Sequence, residues 1–181
     1  MQRKPANGQN FAHNGNIYYH AKGERMTQSV NKFNMRLSAV SENESFARSC
    51  VAAFCLPLNP TLDEINDIKT AVSEAVTNCI VHAYPGEKGR YIDMSVTVQD
   101  DKLTVEISDD GCGIENLEEA MEPFYTTKAD DERSGMGFTI MRTFMDEMSV
   151  SSEKGKGTQV SMTKYIRGAR DVDARADAAT D

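Results

Sequence analysis

Between Leu62 and Ile80 the apolar residues Leu62, Ile65, Ile68, Val72, Ala75, Val76, Cys79 and Ile80 recur at helical spacing, and shortly afterwards the period changes to two. Ile92, Met94, Val96 and Val98 alternate with polar residues, and so do Leu103, Val105 and Ile107. Gln99-Asp100-Asp101-Lys102 between the two runs has the composition of a hairpin turn. A helix with one apolar arc and strands with one apolar face must each cover that surface. Helices on one face of a mainly antiparallel sheet do so, and the expected fold is a two-layer α/β sandwich.

The remaining elements follow from local signals. Residues 35–40 read as a first strand. Ser41 followed by Glu44 forms a capping-box pattern before a helix that runs to about residue 55, where Pro57 and Pro60 punctuate its end. Thr61 with Glu64 is a second capping box and opens the central helix, which Pro85-Gly86 stops. The loop Asp109-Asp110-Gly111-Cys112-Gly113 closes the second strand of the hairpin. A long polar segment then leads to Ser134, followed by Gly135-Met136-Gly137 and a Met-rich helix to about Met148, read as core. A last hairpin pairs residues 148–152 with 158–165 around Glu153-Lys154-Gly155-Lys156-Gly157.

The chain of 181 residues suits one domain, 34–166, with a disordered extension at 1–33 and a flexible tail at 167–181. Residues 1–25 are polar and without pattern. Codons for Lys22-Gly23-Glu24 can form a purine-rich ribosome-binding stretch, so natural translation is expected to start at Met26. A net charge of −8 argues against a direct grip on nucleic-acid phosphates. No apolar run approaches the roughly 20 residues that span a bilayer. Cys50, Cys55, Cys79 and Cys112 lack metal-binding spacing and fit reduced thiols in a cytoplasmic protein.

Three local patterns carry chemistry. Glu74, Asn78 and His82 form one polar stripe on the central helix, outside its apolar arc. A carboxylate there is a possible proton acceptor, and a neutral amide oxygen suits a hard cation already balanced by phosphates. Asp109-x-Gly111-x-Gly113 ends a strand, where glycines let the backbone approach a ligand and the carboxylate can accept from an exocyclic amine. Gly135-x-Gly137 precedes a helix, whose free N-terminal amides favour phosphate. Taken singly, a solvated helix face, a plain turn and a flexible loop explain them better; lone Gly-x-Gly patterns are common.

Their order is more informative. Glu-x-x-x-Asn on a helix, Asp-x-Gly-x-Gly after a strand, a lid-like polar segment, Gly-x-Gly before a helix and Gly157-Thr158 entering a strand together resemble the ordered boxes of the Bergerat (GHKL) ATP-binding superfamily. The resemblance spans about residues 35–165. It implies an ATP site between helices and sheet, with Mg²⁺ on Asn78 and the adenine amine on Asp109. Thr158 would assist through water, with Gly111 and Gly113 shaping the base loop. Gly135, Met136, Gly137 and Phe138, with the lid residues Thr127 and Lys128, would enclose the phosphates. His82 is expected to be structural.

Four longer segments narrow the match: Ser41 to Arg48, Ser73 to Asn78, Phe124 to Lys128, and Glu132 to Met141. They resemble the anti-sigma F family of sporulation serine kinases. That resemblance implies a homodimer that holds a sigma F-type factor inactive and, as an ATP-dependent protein serine/threonine kinase, phosphorylates a serine of an anti-anti-sigma partner. By motif position Glu74 corresponds to the catalytic base, Arg133 to the lid arginine that meets the γ-phosphate, and Arg48 to the partner-binding surface. The extension before residue 34 departs from the family. Competing readings are a sibling kinase acting on a stress-response sigma factor, a detached histidine-kinase catalytic domain, and a nucleotide-gated sigma-binding module without catalysis. His13 and His20 lie in the polar extension, so the chain offers no obvious phosphoacceptor domain, and Glu74 disfavours a non-catalytic module.

Overall fold

The computed structural model describes residues 30–123 and 135–168, and the backbone of two short strands, β1 (Phe11–His13) and β2 (Asn16–Tyr18). These two pair antiparallel as a ladder of their own. The main sheet has five strands, β3 (Asn31–Ser38), β4 (Tyr91–Gln99), β5 (Lys102–Asp109), β6 (Glu147–Glu153) and β7 (Gly157–Tyr165), in the order β3-β4-β5-β7-β6. Every neighbouring pair is antiparallel. The helices are α1 (Glu42–Cys55), α2 (Leu62–Asn78), a single turn α3 (Leu117–Ala120) and α4 (Gly137–Phe144).

Alternation decides which face of the sheet the helices cover. Leu37, Ile92, Met94, Val96, Leu103, Val105, Ile107, Val160 and Met162 are buried and form one core with Ile68, Ala71, Val72, Ala75 and Val76 of α2 and Met141 of α4. The opposite face carries Asn34, Arg36, Asp93, Ser95, Glu106, Ser108 and Gln159 around a shallow hollow of about 410 Å³. The expected two-layer sandwich is the fold observed. Lys164 ties its layers together: its ammonium, on a side chain 13% exposed, donates to Asp67 Oδ2 on α2 at 3.0 Å and to the carbonyl of Phe144 at 2.6 Å. A cation at the end of α4 also satisfies a carbonyl that the helix leaves open.

Several boundaries differ from the sequence reading. The first main strand begins at Asn31, not residue 35, because Phe33, Met35 and Leu37 form one inward row opposite Val96, Met94 and Ile92. The segment expected to lack structure before residue 34 thus contributes the start of β3, besides the β1–β2 ladder. The capping box at Thr61 forms, with Thr61 N donating to Glu64 Oε2 (2.8 Å) and Glu64 N to Thr61 Oγ1 (3.2 Å). The one at Ser41 does not. Ser41 is already helical (φ −60°, ψ −30°), and Glu44 is engaged by Arg48 instead.

The helix expected to reach Met148 stops at Phe144. Met145 turns extended (φ −105°, ψ 150°), and Met148 and Val150 follow the period of a strand paired with β7. In the β4–β5 turn Asp100 takes φ 57°, a left-handed conformation that Asp tolerates.

Candidate nucleotide site

Helix α2 does not end at Asn78 but widens into a π turn, Cys79–Ala83. Inserted π turns are frequent at functional sites. Here the turn turns backbone outward: the Ala83 carbonyl accepts from Cys112 N at 2.8 Å, and the His82 carbonyl lies 3.1 Å from Cys112 Sγ. The loop after β5 is thereby fastened to the end of α2. Gly111 has no room for a side chain, since a Cβ would overlap Ala83, and at Gly113 a Cβ would overlap the Glu153 carbonyl. Gly155 N donates to the Cys112 carbonyl at 2.7 Å, so the β6–β7 hairpin holds the loop from the other side.

Asp109, the last residue of β5, sits at the centre of this clamp. Its Oδ1 accepts from Gly111 N (2.9 Å) and Thr158 N (3.2 Å), and the buried Cys79 thiol also hydrogen-bonds its carboxylate. Burial pushes the Asp109 carboxyl above the usual aspartate range, against the pull of those donors. Burial likewise pushes the Cys79 thiol well up, helped by the Asp109 charge, so the thiol keeps its proton and can donate.

Behind the loop, the Tyr84 hydroxyl lies 2.6 Å from Asp110 Oδ1 and 2.7 Å from the Tyr91 carbonyl, and it accepts from Asp110 N at 3.1 Å. The hydrogen bond from Tyr84 holds the Asp110 carboxyl low, with Arg90 assisting.

In front of the clamp opens a cavity of about 1090 Å³. Glu74, Asn78, Gly113, Gly135, Met136, Gly137, Phe138 and Thr158 all line it, and so does His82. Asp109 and Gly111 form the loop beneath. Helix α4 enters with Gly137 against the polar stripe of α2: a Cβ there would stand 3.2 Å from Glu74 Oε2 and 3.3 Å from both amide atoms of Asn78. The opening amides of α4 lack intrahelical acceptors and carry the positive end of the helix dipole. A carboxylate, a neutral amide and a helix N-terminus therefore converge on one wall of the cavity.

Among the described residues no cluster of three or more His, Cys, Asp or Glu stands ready to hold a metal alone.

Residues 33–164 match the family of histidine kinase-like ATPase domains. The chain is 56% identical over 136 residues to the anti-sigma F factor of Caldanaerobacter subterraneus subsp. tengcongensis, covering 75% of this chain and 94% of that protein. It belongs to the anti-sigma F factor family. The anti-sigma F factor of Clostridium acetobutylicum is 56% identical over 134 residues, covering 74% of this chain and 93% of its own. Among solved structures, the RsbU and RsbW domains of a Mycobacterium tuberculosis protein share the fold with a TM-score of 0.55. The identity is 16%, over 75% of this chain and 32% of the longer one.

In this anti-sigma F family member, the structure separates the expected site residues into three groups. Glu74, Asn78, Asp109, Gly111, Gly113, Gly135, Met136, Gly137, Phe138 and Thr158 gather at or beneath one cavity. Arg48 lies on α1, paired with Glu44 (2.8 Å) and near Ser73 Oγ (3.3 Å); Ser41 and Glu44 reach the cavity wall. Thr127, Lys128 and Arg133 lie outside the described residues, as does Met26.

Sequence reasoning missed the Cys79 thiol on Asp109, the Tyr84 hydroxyl behind the loop and Ser152 beside Thr158. Only Ser152 left a trace, as an inward position of β6 opposite Thr158. No helix among the described residues is long and apolar enough to cross a membrane.

Proposed function

We propose that this chain binds a sigma F-type factor and uses ATP to phosphorylate a serine of an anti-anti-sigma partner, working as a homodimer in the cytoplasm. The observation that supports the reading is the close approach of Gly137 to Glu74 and Asn78, which brings a carboxylate and a neutral amide to the start of α4. The relatives' shared name, anti-sigma F factor, supports the sigma partner.

Phosphoryl transfer of this kind depends on positioning and charge more than on covalent chemistry by the protein. Asp109 receives the exocyclic amine of adenine and Thr158 faces the same edge. The amides at the start of α4 receive phosphate oxygens. Asn78 would hold a Mg²⁺, and such a cation would offset phosphate charge. Glu74 takes the proton of the incoming serine hydroxyl as its oxygen bonds the γ-phosphorus, and ADP departs with the bridging oxygen's electron pair. By the motifs they belong to, Arg133 and Lys128 would supply positive charge to the phosphates, and Thr127 is part of the same segment. Arg48 belongs to the partner surface.

The test is a transfer assay with γ-labelled ATP and the cognate anti-anti-sigma protein, run beside capture of the sigma factor. Label on a partner serine and ATP-dependent capture are expected. Capture without any label would leave a nucleotide-gated binding module and discard the kinase.

A further inference from the structure

The hydroxyl of Ser152 has three polar neighbours. Ile114 N lies 2.8 Å away, the Gly157 carbonyl 3.0 Å and Thr158 Oγ1 2.9 Å. An amide N–H can only donate and a carbonyl can only accept, whereas a serine hydroxyl has one proton and two lone pairs. Its proton therefore goes to Gly157, and one lone pair takes the Ile114 amide. The remaining lone pair can take only the proton of Thr158. This is the single assignment that makes all three contacts hydrogen bonds.

The consequence falls on Thr158, which lines the cavity; Ser152 is not among the lining residues. With its own proton committed to Ser152, the Thr158 hydroxyl shows the cavity lone pairs only. Asp109, which also does not line the cavity, lies behind Thr158 and accepts its backbone amide at 3.2 Å. We infer that Ser152 is a positioning residue for base selection: it fixes the direction of the Thr158 hydroxyl so that this end of the cavity accepts hydrogen bonds and donates none from Thr158. With Thr158 facing the 6-position of a purine, an amine there fits such a wall and an oxo group there meets acceptor against acceptor. The two residues are direct cross-strand partners on the helix-facing side of β6 and β7, so the sheet register itself sets their distance.

The inference rests on the cavity being the ATP site, and the experiment separates the two. Calorimetry measures the affinities of ATP and inosine triphosphate, which carries a 6-oxo group, for wild type, S152A, S152T and T158V. Wild type is expected to prefer ATP. In S152A the freed Thr158 hydroxyl can turn and donate, so the ATP-to-inosine-triphosphate ratio should fall roughly 3- to 10-fold, the range a single hydrogen bond supplies. S152T should keep the ratio. T158V should lower it, and S152A added to T158V should lower it no further.

Equal weakening of both nucleotides in S152A would make Ser152 a loop strut and overturn the inference. If S152A does not fold, an unchanged ratio in T158V or a lost ratio in S152T overturns it just as well. A wild-type protein that binds neither nucleotide would sink the ATP reading and this inference with it. ATP preference with an insensitive Ser152 sinks the inference alone.

Discussion

Arg48 Nη1 lies 2.8 Å from Glu44 Oε1, one turn back along α1, and Glu44 stands on the wall of the cavity that Glu74 also lines. The helix that carries the proposed partner surface thus reaches the rim of the proposed reaction site. Arg48→Glu breaks this half-exposed pair and sets two like charges one turn apart. The stability cost is small, about 0.5 kcal/mol, because solvent screens such pairs. Sigma capture should nevertheless fall sharply while ATP binding persists. The swap Glu44→Arg with Arg48→Glu restores the local pair, and a pull-down should still show weak capture; recovered capture would mean that Arg48 serves α1 and not the partner.

Gly137→Ala should separate activity from stability. Gly137 is the first residue of α4, where alanine's helix preference is smaller than the roughly 1 kcal/mol of a helix interior, so the melting temperature should change little. Its methyl would press on Glu74 Oε2 and on the Asn78 amide, and both would have to give way. Phosphotransfer should drop about 10- to 100-fold, as displaced reacting groups generally cause. Unimpaired turnover in a folded Ala variant would remove the case for the carboxylate–amide pair.

Glu74→Gln keeps the shape of the side chain and removes its basicity. ATP affinity should stay within about twofold of wild type while transfer falls about 10²- to 10⁴-fold, the usual worth of a general base. Single-turnover kinetics with labelled ATP would reveal it, and near-normal rates would rule out the role.

Asp109→Asn tests the base loop through pH. The folded-state pKa of Asp109 is raised above 3.8 by burial, so the ionised form costs stability at neutral pH. The group's favourable contribution is complete below its unfolded pKa and is lost as pH rises through the folded one. At pH 7 the Asn variant should therefore melt no lower than wild type, yet bind ATP more weakly, because an ionised acceptor is gone. On acidification, wild-type affinity should fall with a midpoint above that of an ordinary aspartate. The same component should be missing from the Asn variant, since the nucleotide's own phosphates titrate alike in both. A lower melting temperature with unchanged affinity would reverse the assignment.

Much of the fold was legible because periodicity is a local property. The apolar row from Leu62 to Val76 and the alternation at Ile92 and Leu103 needed no distant information. Local patterns failed where a neighbour intervened. Ser41-x-x-Glu44 and Thr61-x-x-Glu64 look alike, but Arg48 takes Glu44 away and only the second box closes. The π turn was hidden because its backbone widens to offer the Ala83 carbonyl to Cys112, a residue of another element. The cavity-lining members of the Glu74–Asn78 stripe could be placed from spacing. The thiol on Asp109 and the hydroxyl on Thr158 could not, since their meaning lies in which atom donates across strands and loops.

The close approach of Gly111 to Ala83 and of Gly113 to Glu153 has a thermodynamic consequence for whatever fills the cavity. Main chain pressed on main chain leaves no rotamers to freeze when a base arrives. The entropic penalty of ordering is spared at that end, and rigid complementarity there comes before the ligand. The shape of that end is thus settled by the main chain itself and does not depend on which way any side chain turns.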